Sequence, residues 1–511
     1  MHANFSALDY SILVFYVLAS LGVGLWFARS QNSVERYYLA ERSAPWWAVA
    51  ISIISSDTTA ISYLGVAAIV FTGDLQLSLA TLVFPFAALF VVLVFIPFLA
   101  RKNVYTVYEY LEHRFGPRVR TVASGLFLLT RGTHLSVALY AATLVLSQVM
   151  GLPIAVSLLI LGGLTTLYTV LGGMKAVLWT DVIQFFVLVL GLVAVLVGVA
   201  VAFDWDFARI WQLASQPAPA GAPWLNGRVE TAGHTHVFNF GFSISNMNFW
   251  AVIAWAFTGT VGSYGSDQVL VQRYLAAGSR RKMALSLIGG SILTLPVNLL
   301  LFATGIFFSA YYSHFLGTPG HAWVGELTDP NRVMSHFISH GLPGALGAVV
   351  IAGLFAGTMS SFSAGLNSLS TASYVDFLTR FGWNSKTEKQ GVLHAKLITC
   401  VLGLLVMLGA LLMGGNDTIF AIVAKIMSPF AGPLLGLFLL GMLSPRANSF
   451  GAVAGAILGA AATVYVTYFT TIHWMWYFVV GSLGGVVFGY LLSYLRAAKD
   501  NSAAVAALTT P

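Results

Sequence analysis

Acidic and hydroxyl-bearing residues cluster at four places inside otherwise apolar runs, and together they could hold a hard cation and a polar solute away from water. Asp57 lies in SSDTT at 55–59, Asp181 in LGGMKAVLWTDVIQFFVLVL at 171–190 and Asp267 in SDQ at 266–268. Ser360 and Ser361 head a hydroxyl series, with Ser363, Ser368, Ser370, Thr371 and Ser373, in the stretch from Gly353 to Phe377. Carboxylates, hydroxyls and backbone carbonyls are the oxygen ligands that sodium prefers. An aspartate at mid-bilayer costs about 3 kcal/mol or more, so each must have a partner, most simply a cation or a proton. Arg131 and Lys425 are under the same constraint from the opposite charge.

Membrane helices must position these groups. Of the 511 residues, 58% are hydrophobic and 8% are charged, and the mean hydropathy is +0.83. A soluble domain of this length does not have that composition. Apolar windows long enough to span fall near 8–28, 46–70, 78–99, 122–149, 152–170, 177–202, 248–272, 284–309, 342–366, 393–413, 418–441, 450–469 and 474–494, thirteen in all. The first carries Asp9 and lacks a basic leader, so it reads as a retained span. With the N-terminus outside, most of the 25 Lys and Arg fall on one side, and Arg209, Arg228 and Arg332 fall opposite. The positive-inside rule makes the basic side cytoplasmic, so the net charge of +7 reflects topology and anionic headgroups, with no call for nucleic acid. The expected location is the cell's plasma (inner) membrane. The single Cys400 excludes an internal disulfide. The loops 204–247 and 310–341 are long but form no separate domain, VYEYLEHRFGPRVR at 107–120 is amphipathic enough for an interfacial helix, and the tail after Arg496 reads as disordered.

Two spans are interrupted where a membrane helix should be most regular. One is WWAVAISIISSDTTAISYLG at 46–65; the other is AFTGTVGSYGSDQVLVQRYL at 256–275, with Gly259, Gly262 and Gly265 ahead of Ser266, Asp267 and Gln268. Broken backbone at membrane depth is tolerated only when buried in protein or lining a wet cavity. Each break alone could be an ordinary kink held by Ser and Thr bonding back to the backbone. The two lie five spans apart, however, and each carries an acid. A five-helix unit has odd parity, so its repeat is inverted, the arrangement that presents unwound helices to an ion and a solute near the midplane. Adjacent Ser360 and Ser361 point about 100° apart on a helix and could serve two ions or two sides of one. The small residues Gly353, Gly357 and Ala364 beside them suit close helix packing.

Four segments, GGMKAVLWTDVIQ at 172–184, SDQVLVQRYL at 266–275, YEYLEHRF at 108–115 and SSFSAGLNSLSTASYVDF at 360–377, resemble the signature segments of the sodium:solute symporter family. That family includes sodium-coupled sugar, sialic acid, monocarboxylate and proline transporters, and the resemblance runs from the first span to the thirteenth. It implies an all-α polytopic membrane protein with a LeuT-type 5+5 inverted-repeat core. Residues 1–45 would add an N-terminal helix and loop, 46–445 the ten-helix core, 446–495 two C-terminal helices and 496–511 a cytoplasmic tail. The family's common sodium site would use carbonyls of Ser55, Thr58 and Gly357 and hydroxyls of Ser360 and Ser361. A second sodium, found in some relatives, would be held by Asp181 with Ser360 and Ser361. One or two Na+ per cycle are thus implied, and one suffices if Asp181 is only a capping or proton-relay group.

Departures from the sugar-specific pattern bear on the solute. Sugar-specific members resemble one another in carrying Gln or Glu just after the span-two break and Asn in the span-seven motif, where this chain has Ile61, Ser62 and Asp267. A substrate glutamine of the galactose transporters is replaced by Lys425, eight residues before Pro433. A cavity-facing ammonium would attract a carboxylate, and Asp57 could contact an amine or hydroxyls. Alternatively, Lys425 and Asp57 form an internal ion pair with no substrate role. Sialic acid members carry an arginine in the fourth span, where Arg131 and His134 are the candidates here. Thr59, Tyr63 and Phe84 complete the expected solute set. The implied function is sodium-driven import of a small, carboxylate-bearing organic solute such as sialic acid, another organic acid or an amino acid, with a neutral sugar as the alternative. The expected partners are the solute, sodium and lipid, and the expected functional unit is a monomer. A channel would need a continuous polar lining, and no HExxH, CxxC or GxSxG pattern places enzyme chemistry in a span. A sodium-dependent nutrient sensor on the same scaffold is the remote alternative.

Overall fold

The computed structural model describes residues 6–28, 31–100, 104–225, 232–342, 345–383, 385–413 and 419–495, and these form helices and loops with no strand. Arg228 and the 496–511 tail lie outside the described residues. The main helices are α1 (Ala7–Ala28), α2 (Trp46–Asp57), α3 (Ala60–Phe71), α4 (Leu79–Val94), α5 (Pro117–Met150), α6 (Leu164–Ala202), α7 (Phe249–Gly265) and α8 (Gln268–Leu275). They continue with α9 (Arg280–Phe315), α10 (Leu346–Ala372), α11 (Glu388–Leu411), α12 (Ile419–Leu443), α13 (Ser449–Phe469) and α14 (Met475–Leu492).

Ten of the described helical stretches are long and apolar enough to cross a membrane, and the bent pair α2 and α3, inclined at 58°, makes an eleventh. One stretch, Ile154–Ala202, has 49 residues. A straight helix of that length would run about 74 Å, more than twice the hydrocarbon thickness. Gly173 divides it, at φ +58 between the two windows expected from the sequence. A Cβ there would stand 2.8 Å from the Tyr37 carbonyl, so glycine permits both the reversal and the close approach. Helices α7 and α8 are each too short to qualify alone, with 17 and 8 residues, and meet at Ser266–Asp267.

Helix α10 is the axis of the molecule: 89% of its apolar window is buried, against 22% for α1. Its neighbour α6 comes within backbone contact because Gly191 and Gly353 face each other. A Cβ on either would lie 2.9 Å from the other's Cα. Small residues at such crossings give the dispersion contacts that hold membrane helices together where no hydrophobic drive exists between them. The segment expected as an interfacial helix is helical over Tyr108–Phe115 and packs one face against the protein. In Tyr108–Phe115, Tyr108, Tyr110, Leu111, Arg114 and Phe115 are buried. The Arg114 guanidinium donates to the carbonyls of Gly441, Ser444 and Pro445 at the end of α12. Those carbonyls end a helix and lack intrahelical donors, so the arginine docks there. Gly353→Val should cost about 1–3 kcal/mol through overpacking and lower the melting temperature of the detergent-solubilised protein; an unchanged melting curve would refute the contact.

Candidate functional site

The break between α2 and α3 follows from its own residues. Thr58 leaves helical geometry at φ −88, ψ 96, and Thr59 caps the next helix, its hydroxyl accepting from the Ile61 N–H at 2.9 Å. Unwinding frees carbonyls that a continuous helix would bond. No described backbone N–H bonds the carbonyls of Ser55 or Thr58, and the buried Ser55 hydroxyl is also without a hydrogen bond. Helix α10 meets this point. A Cβ on Gly357 would fall 2.9 Å from the Thr58 oxygen, and the Ser361 hydroxyl donates to the Ser56 carbonyl at 2.5 Å. Helix α10 thus meets the break through Gly357 at Thr58 and Ser361 at Ser56, beside the unsatisfied oxygens of Ser55, a buried oxygen-rich place that suits a small hard cation.

Ser360 turns the other way. Its hydroxyl donates to Asp181 Oδ1 at 2.7 Å, while Ser52 donates to Oδ2 at 2.5 Å. Arg273 of α8 completes the group, its guanidinium 3.2 Å from Oδ2 and its Nε donating to Ser52 Oγ at 2.9 Å. Asp181 and Arg273 are both fully buried. The costly carboxylate therefore has a resident counter-cation, and the arginine read from sequence as a cytoplasmic flank is part of the core. Ser361 does not reach Asp181. The sequence had one missed signal: Ser52, Ser55, Ser56 and Thr59 follow helical i, i+3, i+4, i+7 spacing, so Ser52 belongs to the same polar face.

Above the break lies a cavity of about 290 Å³. Asp57, Thr59 and Ser62 line it from α2 and α3, Phe84 from α4, Arg131 and His134 from α5, and Asp267 from the second break. Its walls are otherwise mostly apolar and aromatic, including Phe127, Trp255 and Phe302. Asp267 caps α8, accepting from the Val269 N–H at 2.8 Å, and its other oxygen takes the Arg131 Nε at 2.7 Å. The His134 ring lies 3.1 Å from the Met427 sulfur. Two expected residues stand elsewhere. Tyr63 is buried with its hydroxyl against Gly191 and Gly353. Lys425 is outside the lining, which takes Val423, Ala424, Met427, Ser428, Ala431 and Leu434 from α12, and neither a hydrogen bond nor an ion pair joins it to Asp57. The charges acting on Asp57 are those of Arg131 and Asp267.

A match to the sodium:solute symporter family spans residues 37–459. The chain belongs to the sodium:solute symporter family. It is a multi-pass, sodium-coupled membrane transporter and not an enzyme, and sodium is its coupling ion. It is 28% identical over 505 residues to the sodium/sialic acid symporter SiaT of Proteus mirabilis, covering 97% of this chain and 96% of that protein. It is 30% identical over 473 residues to the sodium-dependent multivitamin transporter of Oryctolagus cuniculus, covering 91% and 71%. Among solved structures, a substrate-bound, outward-open sodium-coupled sialic acid symporter with a novel sodium site superposes with a TM-score of 0.85 at 26% identity, over 97% of this chain and 99% of that one. The fold is LeuT-like, as the family resemblance implied. In this family member, Arg273→Met alone should destabilise by about 3–5 kcal/mol, because it strands a buried carboxylate. The double variant with Asp181→Asn should recover much of that loss in melting temperature, and a double variant no better than the single would refute the pairing.

Proposed function

We propose that this symporter imports a small carboxylate-bearing organic solute through thirteen membrane crossings, with its N-terminus outside and its C-terminus in the cytoplasm. Arg131 carries the reading. Asp267 engages only its Nε, and the two terminal amino groups make no hydrogen bond to any described residue. That end of a guanidinium is the one that binds a carboxylate through two parallel bonds. The carboxylate thus has a receptor that keeps its structural partner. Relatives named for sialic acid and monocarboxylates agree with this class. Thr59, Ser62, His134 and Phe84 flank the same space and would fix the rest of the solute.

The common sodium would sit among the Ser55 and Thr58 carbonyls, Gly357 and the Ser361 hydroxyl. There it replaces the missing helix hydrogen bonds and ties the broken span to α10. Solute then fills the cavity, and the core helices rock relative to the scaffold to open inward. Each inward sodium contributes about 2.3 kcal/mol per 100 mV of membrane potential. We assign a second ion to Asp181 Oδ1 and Ser360. Arg273 contacts Oδ2, so Oδ1 has only the serine hydroxyl to exchange for a cation.

Proteoliposomes holding the purified protein should accumulate carboxylate solutes only under an inward sodium gradient. Sodium-dependent uptake of neutral hexoses with no response to carboxylates would overturn the assignment. Ser361→Ala should raise the half-saturating sodium concentration about tenfold, in keeping with one lost ligand worth roughly 1.4 kcal/mol. Asp181→Asn should lower the sodium Hill coefficient toward one, and an unaltered coefficient would remove the second ion from that place.

A further inference from the structure

Asp57 differs from the other deeply placed aspartates. Asp181 has Arg273, Asp376 has Arg120 and Asp267 has Arg131. Asp57 forms neither an ion pair nor a hydrogen bond with any described residue, yet it is exposed to the cavity rather than sealed in the core. Its neighbours on either side are fixed: the Ser56 carbonyl accepts from Ser361, and the Thr58 carbonyl abuts Gly357. With the carbonyls on either side of it turned to α10, the Asp57 carboxylate is presented to the cavity.

The charges of the cavity decide what it receives. Asp57 and Asp267 are two carboxylates against the single guanidinium of Arg131, leaving one formal negative charge. A purely anionic solute would raise that to two, in surroundings where apolar walls screen weakly. A sodium ion at the nearby break would cancel only one of them. A zwitterion adds no net charge, so the same sodium brings the filled site to neutrality. Arg131 offers its two terminal amino groups to a carboxylate, and Asp57 offers an unpaired carboxylate to an ammonium. Trp255 and Phe84, in the same lining, provide aromatic faces beside that cation.

We infer that Asp57 is the receptor for a cationic amine and that the transported solute is zwitterionic, of the amino acid or betaine class. This rests on the carboxylate-symport reading and narrows it. The test is thermal stabilisation of the wild-type protein, with and without sodium, by proline, alanine, glycine betaine, their desamino or N-acetyl counterparts, N-acetylneuraminic acid and hexoses. Amine-bearing carboxylates should give sodium-dependent stabilisation, and their desamino and N-acetyl counterparts should be at least about tenfold weaker. Stabilisation by N-acetylneuraminic acid or desamino acids in preference to zwitterions overturns this inference and leaves carboxylate symport standing. Failure of every carboxylate overturns both. Asp57→Asn should cut affinity for the zwitterion about 30-fold or more while sodium alone still stabilises the protein. Loss of the sodium response without solute would assign Asp57 to the ion and overturn the amine role.

Discussion

The approach of the Thr58 carbonyl to Gly357 is the constraint on which the rest of the site depends. A side chain at 357 would hold α10 away from the broken span, since even a Cβ would lie 2.9 Å from that oxygen. With α10 this close, Ser361 reaches the Ser56 carbonyl, and on the neighbouring face Ser360 reaches Asp181. Two consecutive serines therefore connect three elements, α2, α6 and α10, by projecting in different directions from one helix. In lipid the freed carbonyls of a break have no water to bond, so the break survives because α10 and its hydroxyls cover it.

Charge matching is the second organising principle. Each guanidinium paired with Asp181, Asp267 or Asp376 comes from a segment distant in sequence, so these ion pairs fix how helices meet as well as neutralise charge. Such pairs contribute little net stability over apolar packing, but breaking one is expensive. That asymmetry makes them effective registers: a helix displaced enough to separate Arg273 from Asp181 would strand two buried charges at once. Asp267 does two tasks with its two oxygens, capping α8 and orienting Arg131, which couples the second break to the cavity wall.

The spans, the two interruptions and the hydroxyl series of α10 were legible because each is local: an apolar run, a cluster of helix breakers, a density of serine. Azimuth was not. Lining residues Ala424, Met427, Ser428 and Ala431 form one stripe on α12, and Lys425 lies about 100° off it. Likewise Ile61, Ser62 and Val66 line the cavity from α3, whereas Tyr63 turns toward α6. A sequence gives the period of a helix without its phase, so neighbours one residue apart can exchange roles. Arg273 was missed for a different reason. It lies at the end of its apolar window, where a basic residue reads as a flank, and its partner is 92 residues away, beyond any local pattern.

In the proposed scheme the same break, Thr58 and Thr59 between α2 and α3, would serve ion and solute from opposite sides. The carbonyls of Ser56 and Thr58 turn to α10, and the Asp57 carboxylate between them turns to the cavity. A cation bound at the Ser55 and Thr58 carbonyls, as proposed, would hold the backbone that carries Asp57 and lower the entropy that a solute must otherwise remove when it binds. Linkage makes this reciprocal: whatever factor sodium contributes to solute affinity, the solute contributes to sodium affinity. Coupling of this kind would need no relay across the protein, because both ligands would act on the stretch from Ser55 to Thr58. It does need backbone carbonyls free of helix hydrogen bonds, which a continuous helix would not provide. On the proposed scheme the interruption in the second span would be the element that joins ion to solute, and its position beside α10 would make the ion's side of it the buried one.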